Sequence, residues 1–104
     1  MDSSQGRHLG QVNDLPAGDM NVVKAGDREI LLINTGSGIF ALENRCIHGG
    51  CSLLHGKLEG ETLRCLCHGS VFDVRTGAVI DGPAARSQPA YALLVENGEI
   101  FLAR

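Results

Sequence analysis

Tryptophan is absent from this 104-residue chain, and three phenylalanines and one tyrosine are its only aromatics. Acidic residues outnumber basic ones, twelve to nine, for a formal charge of −3. With no basic stripe and few rings on which bases could stack, nucleic acid is not an expected partner. No apolar run approaches the roughly 20 residues that a membrane helix requires, so no membrane span is expected. The stretch from Met1 to Val12 lacks both an apolar h-region and a twin arginine. No export signal is expected from it, and a cytoplasmic location is. No segment sustains an apolar i, i+3, i+4, i+7 stripe, so no long helix is predicted. The length excludes a two-domain enzyme. Residues 1–104 read as one domain whose core is only just sufficient, and an extra staple would suit so small a fold.

Other residue types are plentiful. Glycine occurs fourteen times, about twice its average share. Four cysteines and four histidines stand in a short chain without a secretory signal. Thiols in such a chain are expected to stay reduced, so clustered Cys and His point first to metal.

The local patterns are β throughout. Leu9 to Val12, Met20 to Lys24, Glu29 to Asn34 and Ile39 to Leu42 read as strands between Gly, Asn, Asp and Pro turns. Tyr91 to Glu96 and Glu99 to Leu102 flank Asn97-Gly98. Asn-Gly between apolar runs predicts a tight hairpin, because both turn positions need positive φ. Short strands with frequent glycine turns predict an all-β fold, a small sandwich or barrel of antiparallel sheets. The segment from Arg45 to Gly82 departs from this pattern and holds all four cysteines. It reads as a subdomain built around something other than a hydrophobic core.

Two boxes carry the chemistry. The first is Cys46-Ile47-His48-Gly49-Gly50-Cys51 and the second is Cys65-Leu66-Cys67-His68-Gly69-Ser70. Each offers a thiolate and an imidazole, so two loop tips could enclose one metal centre. Zinc would take two Cys and two His in a tetrahedral site. A [2Fe–2S] cluster would take both cysteines on one iron and both histidines on the other. Spacing alone leaves both readings open. Two features favour the cluster: each box mixes Cys with His, and Cys51 and Cys67 form a second cysteine pair, read here as standing in matching positions.

Cys46-x-His48, sixteen residues, then Cys65-x-x-His68-Gly69 resembles the Rieske [2Fe–2S] signature. The lead-in Phe40 to Cys46, the run Phe72-Asp73-Val74-Arg75-Thr76-Gly77 and the Asp81-Gly82-Pro83-Ala84 loop are similar to family segments as well. The resemblance extends from about Gly6 to the C-terminus. It implies a Rieske-type fold with a base of residues 7–44 and 83–104 and a cluster-binding subdomain of about 45–82. It implies that Cys46 and Cys65 bind the inner iron, that His48 and His68 bind the outer iron through Nδ1, and that Pro83 belongs to a loop covering the cluster.

The same resemblance implies a disulfide between Cys51 and Cys67. Oxygenase ferredoxins and small nitrite reductase subunits match this chain in size but usually lack both extra cysteines. Quinol-oxidising Rieske proteins have them, and arsenite oxidase small subunits often do. In the high-potential group, the serine at the place of Ser70 donates to a bridging sulfide, which raises the potential. Phe72 stands where that group has a hydroxyl-bearing tyrosine. Leu66 and Ala85 replace customary prolines. A positive but sub-maximal potential is therefore expected.

The bland roles stand beside these. His55 reads as a solvated loop residue, and His8 needs no special role. Leu53, Leu54 and Leu66 either pack around the centre or form an apolar docking collar. The function implied is one-electron transfer by a soluble ferredoxin-like carrier, expected to be a monomer when free. Its partners would be a reductase or a terminal oxidoreductase, and its modest acidity suits a basic docking patch. A bound subunit of a nitrite-reductase-like or arsenite-oxidase-like enzyme, and a structural zinc module, are the alternatives. The chain alone has no room for a catalytic iron domain.

Overall fold

A computed structural model describes residues 7–47, 50–67, 69–82 and 86–103. Eleven strands are found among them: β1 (Arg7–Gln11), β2 (Met20–Ala25), β3 (Arg28–Asn34), β4 (Ile39–Glu43), β5 (Lys57–Glu59), β6 (Thr62–Arg64), β7 (Val71–Asp73), β8 (Val79–Asp81), β9 (Ala90–Tyr91), β10 (Leu93–Glu96) and β11 (Glu99–Leu102). They form three antiparallel sheets, ordered β1-β11-β10, β2-β3-β4-β9 and β5-β6-β7-β8. Single-turn 3-10 helices, Val12–Asp14 and Leu53–His55, interrupt the β pattern. Among the described residues no helix is long and apolar enough to cross a membrane.

The β2-β3-β4-β9 sheet is the middle layer, and strand periodicity shows why. Side chains alternate between the two faces of a strand. Ile30 and Leu32 of β3 join Leu9, Leu15, Ala25, Ala41 and Ile100 in one apolar cluster, against the β1-β11-β10 sheet. Leu31 and Ile33 join Leu42, Leu53, Leu63, Phe72 and Val74 in a second cluster, on the opposite face. The run Ile30–Ile33 is apolar at every position because both its faces are covered; each side chain is at most 2% exposed.

The segment after Arg45 thus has a hydrophobic core, contrary to the expectation from its sequence. Leu53, Leu63 and Phe72 are fully buried, and each contributes about 1.5–3 kcal/mol of burial free energy. They dock the β5-β6-β7-β8 sheet onto the middle sheet. The strands β5 to β8, only three residues each, were too short to show a period in the sequence.

Other predicted boundaries shift for physical reasons. The run Tyr91 to Glu96 is not one strand. Ala90–Tyr91 pairs with β4 and Leu93–Glu96 pairs with β11, so the chain changes sheets at Ala92. Val12 leaves β1 for a 3-10 turn, where its N–H donates to the Gly98 carbonyl at 2.8 Å. The Asn97-Gly98 hairpin is present, with φ of 54° and 78° at its two turn positions.

Candidate metal centre

Two six-residue loops, 46–51 and 65–70, are built alike. An antiparallel bridge between Arg45 and Ser52 closes the first. The β6–β7 pair Arg64–Val71 closes the second. In the first, the Cys46 N–H donates to the Cys51 carbonyl at 2.8 Å and the Gly50 N–H to the Cys46 carbonyl at 2.7 Å. In the second, the Cys65 N–H donates to the Ser70 carbonyl at 2.8 Å and the Gly69 N–H to the Cys65 carbonyl at 2.9 Å. Gly50 and Gly69 take the same left-handed turn, at φ of 76° and 81°, which L side chains adopt reluctantly. Cys46 and Cys65 therefore occupy equivalent places, the first residue of each loop. Both are free thiols, 3% and 1% exposed, within the apolar cluster that also contains Phe72 and Leu63. His48, His68 and Pro83 lie outside the described residues.

Cys51 and Cys67 are joined by a disulfide, with Cα atoms 6.5 Å apart. Their positions do not match, however. In the shared hydrogen-bond pattern, Cys51 corresponds to Ser70 and Cys67 to His48. The bridge ties the end of one loop to the middle of the other, so juxtaposition of the loops, not equal offset, brings the two sulfurs together. Cys67 is exposed and Cys51 half-buried.

Ser70 is fully buried, and its carbonyl holds Cys65 as described. Gly82 presses on this loop. Phe72 is fully buried in the same cluster as both thiols. Of the proposed collar, Leu53 is core, Leu54 is half-buried, and Leu66 stands 65% exposed beside Cys65. His55 is exposed, while His8 pairs with Glu99 at 2.6 Å and meets the Phe101 ring edge-on.

Two buried amides that nothing in the sequence pattern marked hold the first loop. Asn44 is 2% exposed. Its Nδ2 donates to Glu29 Oε1 at 3.0 Å and to Ser52 Oγ at 2.9 Å, and its Oδ1 accepts the Leu54 N–H at 3.0 Å. Gln88 is 1% exposed, and its side chain bonds Ile47, Glu43 and Arg45. A polar residue between Ser87 and Pro89 carries no signal of burial; only the fold encloses it. Hydrogen bonds from Asn44 and then Arg45 hold the Glu29 carboxyl below its ordinary value. Burial, followed by its bond to Glu43, pushes the Tyr91 phenol up.

Two unoxidised thiols at equivalent loop positions, enclosed by apolar side chains, suit the cysteine half of a [2Fe–2S] site. The model of the Rieske [2Fe-2S] domain matches residues 7–92. This chain belongs to the Rieske [2Fe–2S] domain family. Its cofactor is accordingly a Rieske-type cluster, not zinc, and its role is electron transfer, not catalysis. The protein is 34% identical over 91 residues to the ferredoxin component of the naphthalene 1,2-dioxygenase/salicylate 5-hydroxylase systems of Ralstonia sp., covering 88% of each chain. It resembles the ferredoxin of carbazole 1,9a-dioxygenase from Nocardioides aromaticivorans at 27% identity, with a TM-score of 0.89 over 96% of this chain and 98% of that one. A chain in the complex of reduced oxygenase and oxidised ferredoxin of carbazole 1,9a-dioxygenase matches at 26% identity and a TM-score of 0.88, over 97% of this chain and 94% of that one. These relatives are ferredoxins of dioxygenase systems, in agreement with the ferredoxin length of the chain.

Proposed function

We propose that this Rieske protein is a cytoplasmic one-electron carrier that serves a ring-hydroxylating dioxygenase system, accepting electrons from a reductase and passing them to a terminal oxygenase. In this reading Cys46 and Cys65 hold the inner iron as thiolates, and His48 and His68 hold the outer iron. Residues of about 45–82 form the cluster-binding subdomain on a base of 7–44 and 83–104. The observation that carries the assignment is the pair of equivalent loops, each opening on a free buried cysteine. Likeness to ferredoxin components of dioxygenase systems supports the partner class and the cytoplasmic location. Leu66, exposed on the second loop, supplies an apolar contact at the docking face.

Two measurements test this. Cys46→Ser, His48→Ala, Cys65→Ser and His68→Ala should each abolish the Rieske electron paramagnetic resonance signal; a full signal in any of them would remove that residue from the ligand set. With a purified reductase and terminal oxygenase of the aromatic dioxygenase type, the protein should support product formation, and Leu66→Asp should weaken that coupling. Failure to exchange electrons with any such pair, with the cluster intact, would exclude the partner class.

A further inference from the structure

Beyond Glu43, where β4 ends, the chain runs on to Cys46, and among the described residues no strand pairs with it on the β9 side. The β4–β9 register ends at Leu42–Ala90, and the Glu43 N–H then donates to the Pro89 carbonyl at 2.8 Å. From there a side chain takes over. Gln88 Nε2 donates to the carbonyls of Glu43, at 2.6 Å, and Arg45, at 2.7 Å. Gln88 Oε1 accepts the Ile47 N–H at 2.8 Å. These are the alternate residues whose backbone groups face that side. The groups of Asn44 and Cys46 face the other way and pair with Glu29, Leu53, Gly50 and Cys51. One side-chain amide therefore continues the hydrogen bonding of this edge with three bonds, to Glu43 and to the residues on both sides of Cys46.

The amide is itself fixed. The Gln88 N–H donates to the Gly77 carbonyl at 2.7 Å. A β-carbon on Gly77 would overlap the Gln88 carbonyl oxygen, and Gly77 sits at φ 80°. The glycine that ends the Phe72–Gly77 run is thus the seat on which Gln88 rests.

We propose that Gln88 is the positioning residue of the first loop: its side chain acts as a surrogate strand that sets the direction of Cys46 through the backbone of Arg45 and Ile47. The proposal rests on the ligand assignment above. Gln88 touches no iron; it acts through the backbone of Arg45 and Ile47. Replacing it takes away the partner that the Glu43 and Arg45 carbonyls and the Ile47 N–H have in these part-buried bonds, and backbone groups shielded from water do not stay unpaired without rearrangement.

The test uses the holoprotein with Gln88→Met, similar in volume and unable to form these bonds, and Gln88→Asn, one methylene shorter. Asn34→Ala is the control; it removes a side chain that donates to the Leu15 carbonyl at 2.8 Å in the base. Gln88→Met is expected to shift the g values and the reduction potential and to lose its visible colour about tenfold faster, the scale typical of residues that orient metal ligands. Asn34→Ala should leave g values and potential unchanged. Gln88→Met with wild-type g values and potential, whatever its melting temperature, would overturn the proposal. If Gln88→Met does not assemble, Gln88→Asn decides by the same spectra. A Cys46→Ser protein that kept the signal would defeat the ligand assignment instead, and the two failures are therefore distinguishable.

Discussion

Gly82 lies against Ser70 so closely that a β-carbon on Gly82 would come within 2.5 Å of the Ser70 Cα and 2.9 Å of the Gly69 carbonyl oxygen. Gly82 also sits at φ 96°, which disfavours any L side chain. The strand that leads toward Pro83 thus uses a missing side chain to press on the second cluster loop. Gly82→Ala is expected to cost roughly 1–3 kcal/mol of stability. It should also shorten cluster lifetime, because the loop bearing Cys65 must shift. Thermal unfolding and the decay of visible absorbance would measure both, and an Ala variant with wild-type values would show that the contact is not restrictive.

The Cys51–Cys67 bridge should survive purification of the holoprotein. Thiol titration under native conditions is expected to find neither cysteine reactive. Cys51→Ser should lower stability by roughly 2–4 kcal/mol on the chain-entropy account of such loops. It should also shorten cluster lifetime and lower the potential, since the loops are no longer tied. Two reactive thiols in a protein with its cluster intact would refute the bridge.

Ser70 and Phe72 give opposing expectations for the potential. Rieske centres span roughly −150 to +300 mV. A buried Ser70 on the second loop and the bridge favour the upper part, and Phe72 supplies no second donor. A positive, sub-maximal value is expected from protein-film voltammetry near neutral pH. Ser70→Ala should lower it. Phe72→Tyr should raise it, provided the hydroxyl reaches a ligand sulfur from the fully buried ring position. A negative wild-type potential would place this box, despite its disulfide, with low-potential centres.

Glu29 links acid stability to the first loop. Its carboxylate accepts from Asn44 and Arg45, and the folded protein holds it below its ordinary 4.5. A depressed carboxylate stabilises the fold above the unfolded value and loses that contribution as pH falls through the lower folded value. The stability gap between wild type and Glu29→Gln should therefore be full near neutrality and close below pH 4.5. Denaturant melts across that range would show it, and a gap independent of pH would exclude the carboxylate as the cause.

The Rieske-type cluster was legible in the two boxes because metal binding calls for particular residue types at short spacing. The hairpin at Asn97-Gly98 was legible for a similar reason, since few residues tolerate positive φ. The bridge was anticipated from the family resemblance, whereas the equal-offset reading of Cys51 and Cys67 was not sustained; loop register follows hydrogen bonding, which residue counting does not reveal.

What the sequence determined by itself was local: the positions of the strands β2 to β4, the turn residues, and the two boxes of cysteine and histidine. Tertiary structure alone decided that Ile30–Ile33 separates two cores and that Tyr91 and Leu93 belong to different sheets. It also decided that Asn44 and Gln88 are buried on opposite sides of one loop. The physical reason is that period and turn chemistry act between near neighbours in the chain. Burial of an amide depends on which distant backbone groups meet it, and for Gln88 those lie more than forty residues away.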